Sequence, residues 1–169
     1  GGGGLISAGG SDVFVAKYDA DGLHQWSQRF GSTGNDIGEA VFADAFGDVA
    51  VAGSFNGTVD FGGGGLTSAG SVDAFFAKYS SSGAHQWSRR AGGTSADTGN
   101  DIYVDASENV IVTGSFALTA DLGGGVLTSA GSSDIFLARY NLSGVHQWSQ
   151  RFGGTGADLG NEVVADALG

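Results

Sequence analysis

Three histidines, three tryptophans and a regular set of aspartates are the residues in this sequence with chemistry to offer. His24-Gln25-Trp26-Ser27 returns as His85-Gln86-Trp87-Ser88 and again as His146-Gln147-Trp148-Ser149, a spacing of 61 residues each time. Imidazoles invite a metal or general-base reading. Indoles invite carbohydrate stacking, one platform per unit. Carboxylates invite a hard cation such as Ca²⁺, which takes several oxygen ligands. The candidate cation ligands are Asp36, Asp97 and Asp158, ahead of one predicted strand, and Asp44, Asp105 and Asp166, at its end.

The same spacing argues against each reading. One histidine per unit, with only Gln25, Ser27 and their copies as constant polar neighbours, leaves no set of ligands for a shared metal. Aspartates in turns mostly cap their own backbone. The turn Asp19-Ala20-Asp21-Gly22 has a faint calcium-loop character, but its next copy is Ser80-Ser81-Ser82-Gly83. Calcium is therefore the one cofactor considered, and no other is expected. A reaction centre needs unlike groups gathered at one place. Here every prominent polar residue recurs in its counterparts, so no catalytic residue is assigned and the expectation is a non-enzyme. The glycine runs 62–65 and 123–125 are no phosphate loop, because no lysine follows and no helix is predicted. Asn56-Gly57-Thr58 and Asn141-Leu142-Ser143 satisfy the glycosylation pattern, which is common by chance in a chain this rich in Gly, Ser and Thr.

Composition narrows the field further. The 169 residues include 33 Gly and no Pro, Cys or Met, so disulfides, zinc–thiolate sites and thiol catalysis are excluded together. Glycine without a strict triplet period or proline excludes a collagen helix. A hydrophobic content of 41% is too high for simple disorder. The formal charge of −11 repels phosphate backbones, so nucleic acid is not an expected partner. No apolar run approaches the roughly 18 residues of a membrane span. The opening glycines carry neither the basic start nor the apolar stretch of a signal peptide.

The elements that must position these residues follow from the repeat. Each unit holds four runs of period-two alternation separated by turn residues. Strand A is predicted at 39–45, strand B at 49–55, strand C at 13–18, 74–79 and 135–140, and strand D at 24–30, 85–91 and 146–152. Phe14, Ala16 and Tyr18 share one face of strand C. Val13 and Val15 take the other, with Lys17 marking solvent. Trp26 and His24 lie beside Phe30 on one side of strand D. The repeat core is accordingly placed at Trp26, Trp87, Trp148, Phe14, Phe75, Phe136, Tyr18, Tyr79, Tyr140, His24, His85 and His146. The link from 56 to 72 reads as a long glycine-rich loop. Four antiparallel strands in tandem with apolar residues on both faces fit the blades of a β-propeller or a segment of one. A β-helix or solenoid is the alternative.

The array is read as one unit over 1–169: strands C and D of a first blade in 1–31, full blades at 36–91 and 97–152, and strand A of a further blade at 158–169. Three units would exceed the 169 residues by the counterpart of Asp48 to Phe61. The expectation is a slice of a longer array, or a strand supplied by another chain.

Gly34-Asn-Asp-Ile-Gly-Glu-Ala-Val41, Asp44-Ala-Phe-Gly-Asp-Val-Ala-Val-Ala-Gly53 and Asp12-Val-Phe-Val-Ala-Lys-Tyr18 together resemble the bacterial SBBP-type β-propeller repeat, a family similar in layout to NHL repeats. The resemblance covers the whole chain and implies propeller blades in a large exported or cell-surface bacterial protein. The functional expectation is a non-catalytic repeat protein with a structural or adhesive role at a bacterial surface or in extracellular matrix. Its expected partners are further repeats or copies of itself, with oligomers or fibres formed by completion of blades between chains. The alternative is a multivalent carbohydrate- or calcium-binding module.

Overall fold

The structure is a computed structural model that describes residues 2–166, and no helix occurs among them. β1 (Val13–Tyr18) pairs with β2 (His24–Phe30) in a two-stranded antiparallel sheet. Next come β3 (Ile37–Ala43), β4 (Val49–Phe55), a short hairpin of β5 (Thr58–Asp60) and β6 (Gly65–Thr67), then β7 (Asp73–Tyr79) and β8 (His85–Ala91). Their main sheet runs β3-β4-β7-β8, each strand antiparallel to its neighbour. The pattern repeats with β9 (Asp97–Val104), β10 (Val110–Phe116), the hairpin β11 (Thr119–Asp121) and β12 (Val126–Thr128), β13 (Asp134–Tyr140) and β14 (His146–Phe152). The second sheet again has the order of strands A, B, C and D. Antiparallel four-stranded blades are thus what the chain builds, and the solenoid alternative is not.

Four features differ from the sequence reading. Strand A begins and ends about two residues earlier than predicted, so Asp44 and Asp105 lie in the A–B turn. There the Asp44 carboxylate accepts the amides of Phe46 (3.0 Å) and Asp48 (2.9 Å), and this local bonding ends the strand. The predicted 56–72 loop contains the β5–β6 hairpin, whose register places Val59 opposite Leu66. Val59 and Phe61 are buried and tie the hairpin to the core. The third difference concerns the lysine of strand C. It was expected to mark solvent, yet Lys78 is only 1% exposed, for reasons given below. The segment 158–166, counterpart of strand A, forms no strand ladder. Residues 167–169 of that predicted strand lie outside the described residues.

Strand alternation sends apolar side chains to both faces of each blade, so the core forms between blades. Val13, Val15 and Phe30 meet Val49, Val51, Phe55, Phe75 and Tyr79 in one cluster. Ala50, Ala52, Phe76 and Trp87 meet Ile102, Val104, Val112, Phe136 and Tyr140 in the next. At the outer strand the joint is specific. The ring of Trp87 lies 6.2 Å from that of Tyr140, and its Nε1 donates to Leu142 O at 3.1 Å. Gly144 (φ 71°) lies on the indole, where a Cβ would sit 2.6 Å from Trp87 Cδ2. Only glycine combines that left-handed backbone with so close an approach. One unit earlier, Trp26 Nε1 donates to Ser81 O at 3.1 Å and Gly83 lies on its ring.

Trp87 (5% exposed) and Trp148 (37% exposed) occupy equivalent positions with and without a following blade. Trp87→Ala should therefore lower the unfolding free energy by about 3–5 kcal/mol. Trp148→Ala should lower it by less than about 1 kcal/mol. Urea denaturation followed by circular dichroism measures both.

Candidate functional site

The histidines are held within their own units. The His85 ring meets Tyr79 edge-on at 6.0 Å, and its Nε2 lies 3.1 Å from Ser88 Oγ. The turn of the β5–β6 hairpin covers it, so that a Cβ at Gly62 would come 2.9 Å from His85 Cβ. Asp60 fixes that turn by accepting the amides of Gly62 and Gly64 at 2.7 and 3.0 Å. These bonds hold its carboxyl below the usual carboxylate range. Burial pushes the His85 imidazole down, against the opposing pull of Asp60. His24 and His146 meet Tyr18 and Tyr140 in the same edge-on way, at 5.6 and 5.8 Å. Glycine runs 62–65 and 123–125 are thus covers for histidines. Their fixed distance from His85 and His146 was the sequence signal for it.

Trp26 and Trp87 are covered by the glycine turns of the next blade, and Trp87, 5% exposed, offers no free ring face to a sugar. Trp148 has no such cover. Phe75 and Phe136 are buried between blades, whereas Phe14 is 69% exposed. Tyr79 and Tyr140 are buried and donate to Phe61 O (2.9 Å) and Leu122 O (2.7 Å). Burial pushes both phenols up. Tyr18, their counterpart, is exposed.

The six aspartates do not converge. Asp36, Asp97 and Asp158 accept backbone amides at the crossing from strand D to the next strand A, as in Ser32 N to Asp36 at 2.7 Å and Gly154 N to Asp158 at 2.9 Å. Asp97 accepts Gly93 N (2.8 Å) and Ala117 N (3.1 Å). Burial, aided by the nearby Asp73 carboxylate and opposed by these amides and Arg90, pushes Asp97 up to about 6. Gly92 separates the two carboxyls, for a Cβ there would lie 2.6 Å from Asp97 Oδ2 and 2.9 Å from Asp73 Cγ. Asp73, Asp12 and Asp134 are each bound by an arginine of the paired strand D, namely Arg90 (2.6 Å), Arg29 (2.6 Å) and Arg151.

Asp44 and Asp105 sit instead in A–B turns, and Asp166 lies exposed on the terminal segment. Asp44, Asp48 and Glu108 bring three carboxylate oxygens within 4.8 Å of one another, the one such acidic group among the described residues. The positive charge there is the protein's own. Lys78 Nζ lies 3.3 Å from Asp44 and 3.2 Å from Glu108, joining the A–B turns of successive blades. Arg139 repeats this with Asp105 at 3.0 Å, and Lys17 donates to Gly47 O at 2.6 Å. An ammonium thus stands where a calcium reading would put the ion. Sequence reasoning missed this lysine because alternation alone places it on the outer end of a strand.

With the blades and their joints in place, a family match becomes interpretable. Residues 86–115 match the SBBP family, described as a β-propeller repeat. This chain carries an SBBP-type β-propeller repeat. The SBBP segment begins in β8 and ends in β10, so it spans strand D of one blade and strands A and B of the next. The matched stretch therefore crosses from one blade into the next. The chain is also similar to the regulatory protein FlaEY of Caulobacter vibrioides, with 30% identity over 167 residues covering 94% of this chain. It spans 17% of that relative's length.

The charges generate two expectations. Asp97 holds its proton more tightly folded than unfolded, since about 6 lies above the ordinary 3.8. Its contribution to stability is complete below pH 3.8 and is lost as pH rises through about 6. From pH 4 to 7 the unfolding free energy of the wild type should fall by about 2 kcal/mol relative to Asp97→Asn. Parallel urea titrations check it. Lys78→Met should destabilise by about 3 kcal/mol by leaving Asp44 uncompensated. Adding Asp44→Asn should recover more than half of that loss, measured in a double-mutant cycle.

Proposed function

We propose that this chain is part of a non-catalytic, exported β-propeller array that serves a structural or adhesive role at a bacterial surface or in extracellular matrix. One observation carries the reading. The groups with chemistry recur in every unit, and in the complete blades they are bonded or packed into the fold. All seven Lys and Arg side chains, Lys17, Arg29, Lys78, Arg89, Arg90, Arg139 and Arg151, have partners within the chain. The histidines are covered and two of the three indoles are roofed by glycine turns. Apolar surface is left open at the two ends of the array. Phe14, Tyr18 and Val41 are exposed at one end, and Trp148 and Phe152 at the other.

These ends are the two halves of one joint. The first carries the aromatic and turn side of the contact, and the second carries the tryptophan side. Such a surface serves construction, because each added unit presents the same surface again. The acidic surplus keeps the finished surface soluble and repels anionic polymers. The array acts as framework within a longer protein, or between proteins that complete one another's blades.

Light scattering and electron microscopy of the purified protein test the assembly. The expected outcome is concentration-dependent end-to-end association that Trp148→Ser with Phe152→Ser abolishes without loss of fold. A monomer at all concentrations, or association indifferent to those substitutions, overturns it. Protease treatment of intact producing cells tests the location, with cleavage expected before lysis.

A further inference from the structure

The 61-residue repeat is broken where β3 and β9 run into their A–B turns, at the joint between the two complete blades. The two strand ends and turns line a recess of about 330 Å³ that includes Phe42, Phe46, Tyr103, Val104, Asp44 and Glu108. The rings of Phe42 and Tyr103 lie 4.9 Å apart at 56°, whereas the next copy of this position is Val164. Phe46, 67% exposed, becomes Ser107 one unit later. Glu108 stands where the preceding unit has Gly47, and both hold the left-handed backbone, at φ 60° and 78°. Glycine adopts that conformation freely and glutamate does not, so the carboxylate is kept there at a conformational cost. Lys78 accounts for part of this, with its Nζ 3.2 Å from Glu108 and 3.3 Å from Asp44. Asp48 brings a third carboxylate oxygen within 4.8 Å of those two. Three carboxylates thus share one ammonium beside a pair of aromatic rings, which favours a second cation over the ring faces.

We propose that this recess binds the side chain of an arginine carried by a basic segment of a partner protein. The guanidinium stacks on the rings of Phe42 and Tyr103 beside Phe46, and its N–H groups donate to the Glu108 carboxylate. Arginine suits the recess better than lysine, because its head is flat, weakly hydrated and able to stack and donate at once. A volume near the lower limit for ligand sites matches one side chain rather than a bulky cofactor. The formal charge of −11, with each Lys and Arg partnered inside the chain, steers a basic segment towards this surface. The site goes beyond the framework reading, since it lies within one joint and needs no second copy of this chain. Because Tyr103, Phe46 and Glu108 all depart from the repeat, the site belongs to this joint and not to every joint.

The experiment titrates a labelled peptide of alternating arginine and glycine into the full chain and follows its anisotropy. Saturable binding is expected, weakening as salt is added. The same peptide with citrulline in place of arginine keeps the planar head and loses the charge, and it should bind at least about tenfold more weakly. The repeat itself supplies the protein variants, whose fold circular dichroism checks. Phe46→Ser copies Ser107, Tyr103→Val copies Val164 and Glu108→Gly copies Gly47. Each should weaken binding by about fivefold. Phe14→Ser, outside the recess, should leave binding unchanged. No saturation up to the solubility of the peptide overturns the proposal. So does equal binding of the citrulline peptide, or binding that neither Phe46→Ser nor Glu108→Gly alters. A lysine–glycine peptide that binds as tightly overturns the choice of arginine. Spermidine binding more tightly than the peptide overturns the protein partner in favour of a small amine.

Discussion

The structure depends on one contact, the seating of a tryptophan beneath the glycine turn of the following blade. Each sheet is apolar on both faces, so a blade alone would leave one face in water for every face it buries. The joint resolves this by bringing indole, tyrosine and turn together with no Cβ between them. Indole Nε1 then reaches a turn carbonyl, which satisfies the one polar group the ring carries. Gln28 and Arg89 reach the carbonyls of Gly83 and Gly144 from beside it, at 2.5 and 2.8 Å. Stability is then a sum over joints, with the outermost blade faces the weakest.

Electrostatics follows the same logic. With 18 acidic and seven basic residues, the chain uses each base as a clasp. Arginines of strand D bind the aspartate that opens strand C within one blade. The lysine of strand C bridges turns of two blades. Lys78 can be buried because the A–B turns on either side both present carboxylates, so its ammonium loses water but gains two ion pairs. The bases are paired within the chain, so the unpaired surplus is acidic, which fixes the sign of what the finished array can attract.

Much of this is legible in the sequence. Strands C and D were readable because their alternation is strong and their turns contain glycine at a constant place. Strand D matches at both ends, from His24 to Phe30. The unit of strands A, B, C and D followed from four alternating runs repeated in tandem. What was not legible depended on neighbours. The three-residue strands β5 and β6 are too short to show a period, and Val59 becomes a core residue only through packing on Phe30 and Phe55. Strand A ended early because Asp44 closes its own turn, a local competition that alternation cannot register. The buried lysine requires knowing that two turns from different blades converge. The aspartates ahead of strand A looked like ligands by type, and they are amide acceptors because the D-to-A crossing has few other ways to satisfy its amides.

The joint also has a direction. Tryptophan belongs to the earlier blade and the glycine turn to the later one, so a blade never offers the same surface on both sides. Two arrays cannot meet face to face through this contact, since that would set indole against indole with no turn carbonyl for either Nε1. Units add only head to tail, which is the heterologous mode that makes rings when the rotation per unit closes and filaments when it does not. Rotation per unit is set by the difference in width between the small residues of strands A and B and the aromatic residues of strand D. Ala50 and Ala52 bring the inner strands close, while Trp87 and Tyr140 hold the outer strands apart. Curvature of the array is thus written into side-chain volume across a single sheet, and exchanging small for large residues on the inner strands would straighten it.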